Sequence, residues 1–185
     1  MGVNGVNLDG IKQVDTLVRQ NPAMGKCGFK ARSSWKRGTR SEVTVDSILA
    51  GGHEKSPSTR RFTISVDEPP FLGGADAQPN PVEVLLAALA GCVTAGIATN
   101  ADMFGVPIDA MSIELEADVD ARGMLGHDKT VRNGVTDIRY TVTIQSPASE
   151  EQVRRCKETI DRKSPVRDTL ANPVNITSRL VFQPR

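Results

Sequence analysis

The stretch Pro79-Asn80-Pro81-Val82-Glu83-Val84-Leu85-Leu86-Ala87-Ala88-Leu89-Ala90-Gly91-Cys92 sets a single thiol in the middle of an almost wholly apolar helix. Asn80 is a good N-cap, Pro81 suits the first helical position, and Glu83 falls where an acid reaches back to close a capping box. The pattern predicts a helix running to about Asn100. Small residues recur every four positions at Ala87, Gly91 and Ala95, with Ala88, Cys92 and Gly96 as the adjoining stripe. Another backbone can therefore approach closely, and the helix is expected to be central and buried.

Working outward, Ile11 to Gln20 places Ile11, Val14, Leu17 and Val18 on one face and stops before Asn21-Pro22, which predicts a short N-terminal helix. Alternating or β-branched runs at about Gly28 to Trp35, Ser41 to Ile48 and Arg61 to Val66 predict an antiparallel meander, with a polar insert from Ala50 to Thr59 before its last strand. Beyond the apolar helix, Ser112 to Ala121 and Val135 to Gln145 alternate as half-buried strands do, and the glycine-containing Arg122 to Gly134 joins them as a loop or hairpin tip. Ser149-Glu150-Glu151-Gln152 is a second capping box, opening a helix to about Lys163 whose inward stripe is Val153, Cys156 and Ile160. Ser164-Pro165 is placed to cap a short helix to Ala171, and Asn175 to Phe182 is expected to close the chain as a strand. Strands and helices are segregated, so the fold class is α+β.

Composition excludes several functions. A formal net charge of +1, with both signs mixed along the chain, gives no electrostatic footprint for nucleic acid or an anionic membrane. The start lacks a basic region followed by an apolar core, and the apolar run from Val84 to Ala98 is shorter than the roughly 20 residues that cross a bilayer. A cytoplasmic protein without a membrane partner is the expectation. Cys27, Cys92 and Cys156 are too few for a disulfide framework and none has metal-ligand spacing, which fits a reducing compartment. His53 and His127 have no neighbouring ligand, so neither a metal nor another cofactor is expected.

Four ordered blocks carry a resemblance to the OsmC family, named for osmotically inducible protein C and including the organic-hydroperoxide resistance proteins. They are Phe29-Lys30-Ala31-Arg32-Ser33-Ser34-Trp35 with Gly38-Thr39-Arg40-Ser41, Asp67-Glu68-Pro69-Pro70 with Leu72-Gly73-Gly74, the Cys92 helix, and Lys163-Ser164-Pro165-Val166-Arg167-Asp168-Thr169-Leu170. The resemblance implies an OsmC-like domain over residues 25–185 behind an N-terminal helical extension, 1–24. It also implies antiparallel sheets around a long central helix, and two swapped-in halves completing one intertwined homodimer.

The resemblance also implies chemistry. A cysteine on this helix is the family's peroxidatic residue, whose thiolate attacks the peroxide O–O bond and becomes a sulfenic acid that a second cysteine, followed by proline, converts to a disulfide. Cys92 matches the first position, whereas Ser164-Pro165 stands at the second, and a hydroxyl cannot close a disulfide. The organic-hydroperoxide resistance proteins carry an acid directly after the Asn-Pro; here Val82 stands there and Glu83 follows. Nine residues place Glu83 roughly 180° around the helix from Cys92, which favours a capping role for it. Arg37 and Arg40, between the first two strands, are the candidates for the activating cation, with Arg40 preferred because it opens the second strand; a solvated strand-edge arginine is the competing reading. Cys92 lies roughly 14 Å beyond the helix start, too far for the macrodipole to activate it, so without a cation it would be an inert small residue. Cys156 reads as a core residue, and the two histidines are tied to neither Cys92 nor Ser164, so hydrolase chemistry has no base.

Two functions remain open. One is a single-cysteine organic-hydroperoxide reductase using an external thiol reductant. The other is a non-catalytic, stress-associated protein that binds a small apolar ligand in a pocket at the dimer interface.

Overall fold

The computed structural model describes residues 1–184. Helix α1, Leu8–Gln20, starts three residues earlier than the apolar periodicity suggests, because the Asn7 side chain accepts from Gly10 N and caps it. The segment before α1 is tied to the far end of the central helix. The Asp102 carboxylate accepts from Asn4 N at 2.5 Å and from Val6 N at 2.7 Å, while the Asn4 amide bridges Val106 O and Ile108 N.

A 3₁₀ turn, Pro22–Gly25, leads into strands β1, Cys27–Arg37, and β2, Arg40–Ala50, a long antiparallel hairpin. Two-residue β3, His53–Glu54, folds back on the end of β2, and β4, Phe62–Val66, pairs with its first half, giving a four-stranded sheet. The polar insert thus contains a short strand. Phe29, Trp35 and Phe62 of this sheet are exposed, and the hydrophobic core cluster contains no residue from β1 to β4.

The carboxylate of Asp67, fully buried after β4, organises the loop that leads to the central helix. It accepts from Thr39 Oγ1 at 2.6 Å in the β1–β2 turn and from the backbone N–H groups of Glu68, Ala75 and Ala77. These bonds, led by the Thr39 hydroxyl, hold its carboxyl below the usual carboxylate range. A depressed folded pKa contributes stability that is present above the unfolded value of about 3.9 and is lost as pH falls through the folded pKa. Acid unfolding followed by circular dichroism is therefore expected to steepen below about pH 4. Asp67→Asn should lower stability at neutral pH and flatten that acid limb; an unchanged acid limb in a folded variant would contradict this assignment.

Helix α2, Pro81–Phe104, is closed at its start by the full Asn80–Glu83 capping box and at its end by Gly105 in the left-handed conformation. It runs 24 residues, past the Asn100 expected, so by length and composition alone it could cross a membrane. Its place is the core: Leu89, Val93, Ile97 and Ala101 are buried in one stripe. Within the single chain only that stripe and Asp102 are buried, so the expectation of a buried helix holds here for one face. Ala87, Ala88, Gly91, Thr94 and Ala95 are exposed.

Strands β5, Ala110–Asp118, and β6, Asp137–Gln145, form a second antiparallel sheet. Met111, Ile113 and Leu115 pair with Ile144, Val142 and Tyr140, and this alternating face packs on the α2 core. The connection contains a single helical turn, α3, Ala121–Met124. Helix α4, Glu150–Lys163, opens with the Ser149–Gln152 capping box and lays Cys156, Thr159 and Ile160 against α2. Gly96 permits that approach: a Cβ there would fall 2.0 Å from Ile160 Cδ1. Helix α5, Pro165–Ala171, follows directly.

Residues 173–184 form no strand. The expected strand Asn175 to Phe182 is unpaired, with Ile176, Leu180 and Phe182 exposed. Its β-pattern specifies an extended backbone, but a strand also needs an edge to pair with. The architecture is α+β, with two antiparallel sheets and a long central helix.

Candidate functional site

Cys92 sits at the border of α2's buried stripe, one residue before Val93 and one turn after Leu89, and is half-buried. Its Sγ lies 3.1 Å from Ser164 Oγ. Ser164 is fully buried and serves two helices. Its N–H ends α4 on Ile160 O at 2.8 Å, and its Oγ caps α5 by accepting from Arg167 N at 3.1 Å. With that acceptor position used, the hydroxyl hydrogen is free to point at sulfur.

The other candidates lie elsewhere. Glu83 donates nothing to Cys92; its carboxylate accepts from Asn80 N at 2.7 Å in the capping box. Arg37 and Arg40 flank the Gly38-Thr39 turn between β1 and β2, both exposed. Among the described residues, no hydrogen bond or ion pair joins either arginine to α2, so one chain by itself does not bring a cation from the first sheet to the thiol. Cys156 is buried in the core, with Sγ 3.3 Å from Gln152 O, and burial pushes its thiol pKa up. All three cysteines are free, and no cluster of metal-ligating side chains occurs among the described residues.

A cavity of about 590 Å³, not anticipated from the sequence, opens beside this pair. Val82, Leu85 and Leu89 of α2, Ile138 of β6 and Leu170 of α5 give it apolar walls, and Arg167 stands at its polar side. Leu89 is one helical turn from Cys92, and Arg167 is the residue whose N–H bonds Ser164, so the cavity approaches the thiol without including it in its lining. Tyr140, also in the wall, donates to Asp161 Oδ1 at 2.6 Å, and the Arg167 guanidinium donates to Asp161 O at 2.8 Å. Burial, then the bond to Asp161, raises the Tyr140 phenol pKa, so this hydroxyl stays a donor. The N-cap role expected of Ser164 calls for a bond from the third residue of α5, and Arg167 N supplies it.

An OsmC-like sheet-and-helix arrangement with one thiol on the central helix defines the class. The OsmC family model, described as OsmC-like protein, matches residues 73–179, and the chain belongs to that family. Among solved structures, an OsmC-like protein from Mycoplasma pneumoniae is 18% identical with a TM-score of 0.55, over 80% of this chain and 89% of that one. A putative osmotic stress induced and detoxification response protein from Psychrobacter arcticus is 14% identical with a TM-score of 0.56, over 75% and 85%. An organic hydroperoxide resistance protein OsmC from Legionella pneumophila is 15% identical with a TM-score of 0.52, over 77% and 88%. At such identities the likeness is one of fold. No curated protein matches the chain.

Proposed function

We propose that the protein is a single-cysteine organic-hydroperoxide reductase of oxidative stress defence, working in the cytoplasm as a homodimer. The observation that carries this reading is the 3.1 Å approach of Ser164 Oγ to Cys92 Sγ, a hydroxyl held against sulfur by the α4–α5 junction. The Cys92 thiolate attacks the distal peroxide oxygen, the O–O bond breaks, and the alkoxide leaves to be protonated to an alcohol. Cys92 is left as a sulfenic acid. One external thiol condenses with it, releasing water and forming a mixed disulfide, and a second thiol attacks that disulfide to restore Cys92. The apolar cavity beside the pair suits the organic part of such a peroxide better than hydrogen peroxide. Arg40, or Arg37, would reach the thiol only from a partner chain.

The test is consumption of an external thiol driven by an organic hydroperoxide. The native protein is expected to turn over, Cys92→Ala to show only the background rate, and Cys156→Ala to keep its activity. Mass spectrometry finding Cys92 unmodified after prolonged hydroperoxide treatment would overturn the reading. One observation favours a second function: the cavity lining omits Cys92, as expected of a binding protein that holds a small apolar ligand without turnover. Ligand-induced stabilisation equal in native protein and Cys92→Ala, with no thiol consumption, would identify that function.

A further inference from the structure

The chain contains two Asn-Gly pairs, Asn4-Gly5 and Asn133-Gly134, and the fold treats them in opposite ways. At the first, the reactive groups are held. The Asn4 side chain donates from Nδ2 to Val106 O at 2.9 Å and accepts at Oδ1 from Ile108 N at 2.7 Å, while the Gly5 N–H donates to Gly2 O at 3.1 Å. The second pair lies exposed in the connection between β5 and β6. Hydrogen bonds close that connection on both sides of the pair, from Thr130 N and Val131 N to Asp128 and from Thr136 N and Oγ1 to Asp118 O. Among the described residues, none holds the Asn133 side chain or the Gly134 N–H.

Freedom at such a pair has a chemical consequence. The backbone nitrogen that follows an asparagine attacks the side-chain Cγ, the bond from Cγ to the amide nitrogen breaks, and ammonia leaves behind a five-membered succinimide. Water then opens the ring at one of its two carbonyls, giving aspartate or isoaspartate. The attack requires a deprotonated nitrogen and a close approach to Cγ, and glycine permits the approach because it carries no Cβ. Arg132 serves the first requirement. Its Nε lies 3.5 Å from where a Gly134 Cβ would stand, and a guanidinium that near favours the anionic form of the nitrogen. At Asn4 the same reaction would first have to break the bonds to Val106, Ile108 and Gly2.

We propose that Asn133-Gly134 is a site of spontaneous deamidation in the native protein, which puts a carboxylate into the wall of the cavity beside Cys92. Asn133 and Gly134 both line that cavity, whose charged residues are Arg132, Arg167 and Asp137, two cations against one anion. A carboxylate at position 133 balances them and removes the positive excess that the cavity offers an anionic ligand. Cys92 takes no part in the step, which therefore proceeds whether or not the thiol turns over.

Incubation of the full chain at mildly alkaline pH, followed by lysine-specific digestion and mass spectrometry, tests this, with the same chain in guanidinium chloride as the reference. In denaturant the two pairs should convert at similar rates. In the folded protein Asn133 should convert at least tenfold faster than Asn4, and an isoaspartyl methyltransferase supplied with S-adenosylmethionine should label the aged protein in the β5–β6 connection. Gly134→Ala should slow the conversion at least tenfold. Gly134 is not among the glycines with positive φ, and a Cβ there meets only the Arg132 side chain at ordinary contact distance, so this variant keeps the fold. Three results would each overturn the proposal: folded protein that retains Asn133 while the denatured chain loses it, equal rates at Asn4 and Asn133 in the folded state, or Gly134→Ala converting at the native rate.

Discussion

Ser164→Cys is expected to convert the persistent oxidised state of Cys92 into an intramolecular disulfide. In the native protein, one equivalent of an organic hydroperoxide should leave a sulfenic acid on Cys92 that a sulfenic-specific reagent traps in nearly every chain, since a hydroxyl, not a thiol, stands against its sulfur and Cys156 is buried in the core. Excess peroxide should then drive Cys92 to the sulfinic state. In the variant a thiol replaces an oxygen that stands 3.1 Å from sulfur, and a small change in the χ1 angles brings two sulfurs to bonding distance of about 2.05 Å. The trapped fraction should fall at least tenfold, with Cys92 and the new thiol recovered as one linked peptide pair. The variant also loses the hydroxyl that caps α5 at Arg167 N, at a cost of about 0.5–2 kcal/mol, so the reduced variant should unfold at lower denaturant than the native protein. Sulfenic acid persisting in the variant as it does in the native protein would show that the pair does not react as a site.

How much of this was legible in the sequence depends on whether each feature is decided locally. The start of α2 is local chemistry, written in Asn80, Pro81 and Glu83, and the alternation of β5 and β6 is set by one sheet resting on one helix layer. The proximity of Ser164 to Cys92 spans 72 residues and came from the family resemblance rather than from any spacing. The features that escaped depend on what lies across from a segment. Asn175 to Phe182 has the composition of a strand, yet pairing is a property of two segments. The stripe Ala87, Gly91, Ala95 announces a close neighbour without saying which chain supplies it. The cavity beside Leu89 arises where elements distant in sequence leave a gap, and no local pattern records a gap.

The surface of the single chain makes the case for a partner. A compact monomer of 19.9 kDa exposes about 8,700 Å² by the usual scaling of area with mass, whereas this chain exposes 13565 Å². The excess, roughly 5,000 Å² per chain, is more than the about 1,000–2,500 Å² that each partner commonly hides in an obligate dimer, as an intertwined pair would require. Its sources are the uncovered first sheet, the unpaired apolar segment around Leu180, and the bare stripe of α2. Gly91 is the sharpest probe of that stripe, because a Cβ built there meets nothing within 4 Å of its own chain. Within one chain, Gly91→Leu should be favourable by about 1 kcal/mol of helix propensity. Against a closely approaching partner, each inserted side chain costs about 1–3 kcal/mol, and a two-fold interface counts it twice. Dimer dissociation should therefore rise by roughly two orders of magnitude, since each 1.4 kcal/mol is tenfold. Sedimentation at micromolar concentration should show a dimer for the native protein and, for Gly91→Leu, a concentration-dependent shift towards monomer with loss of structure as the uncovered sheet is released. A native chain that sediments as a stable, folded monomer, or a Gly91→Leu dimer as tight as the native one, would mean that something other than a second copy covers this helix.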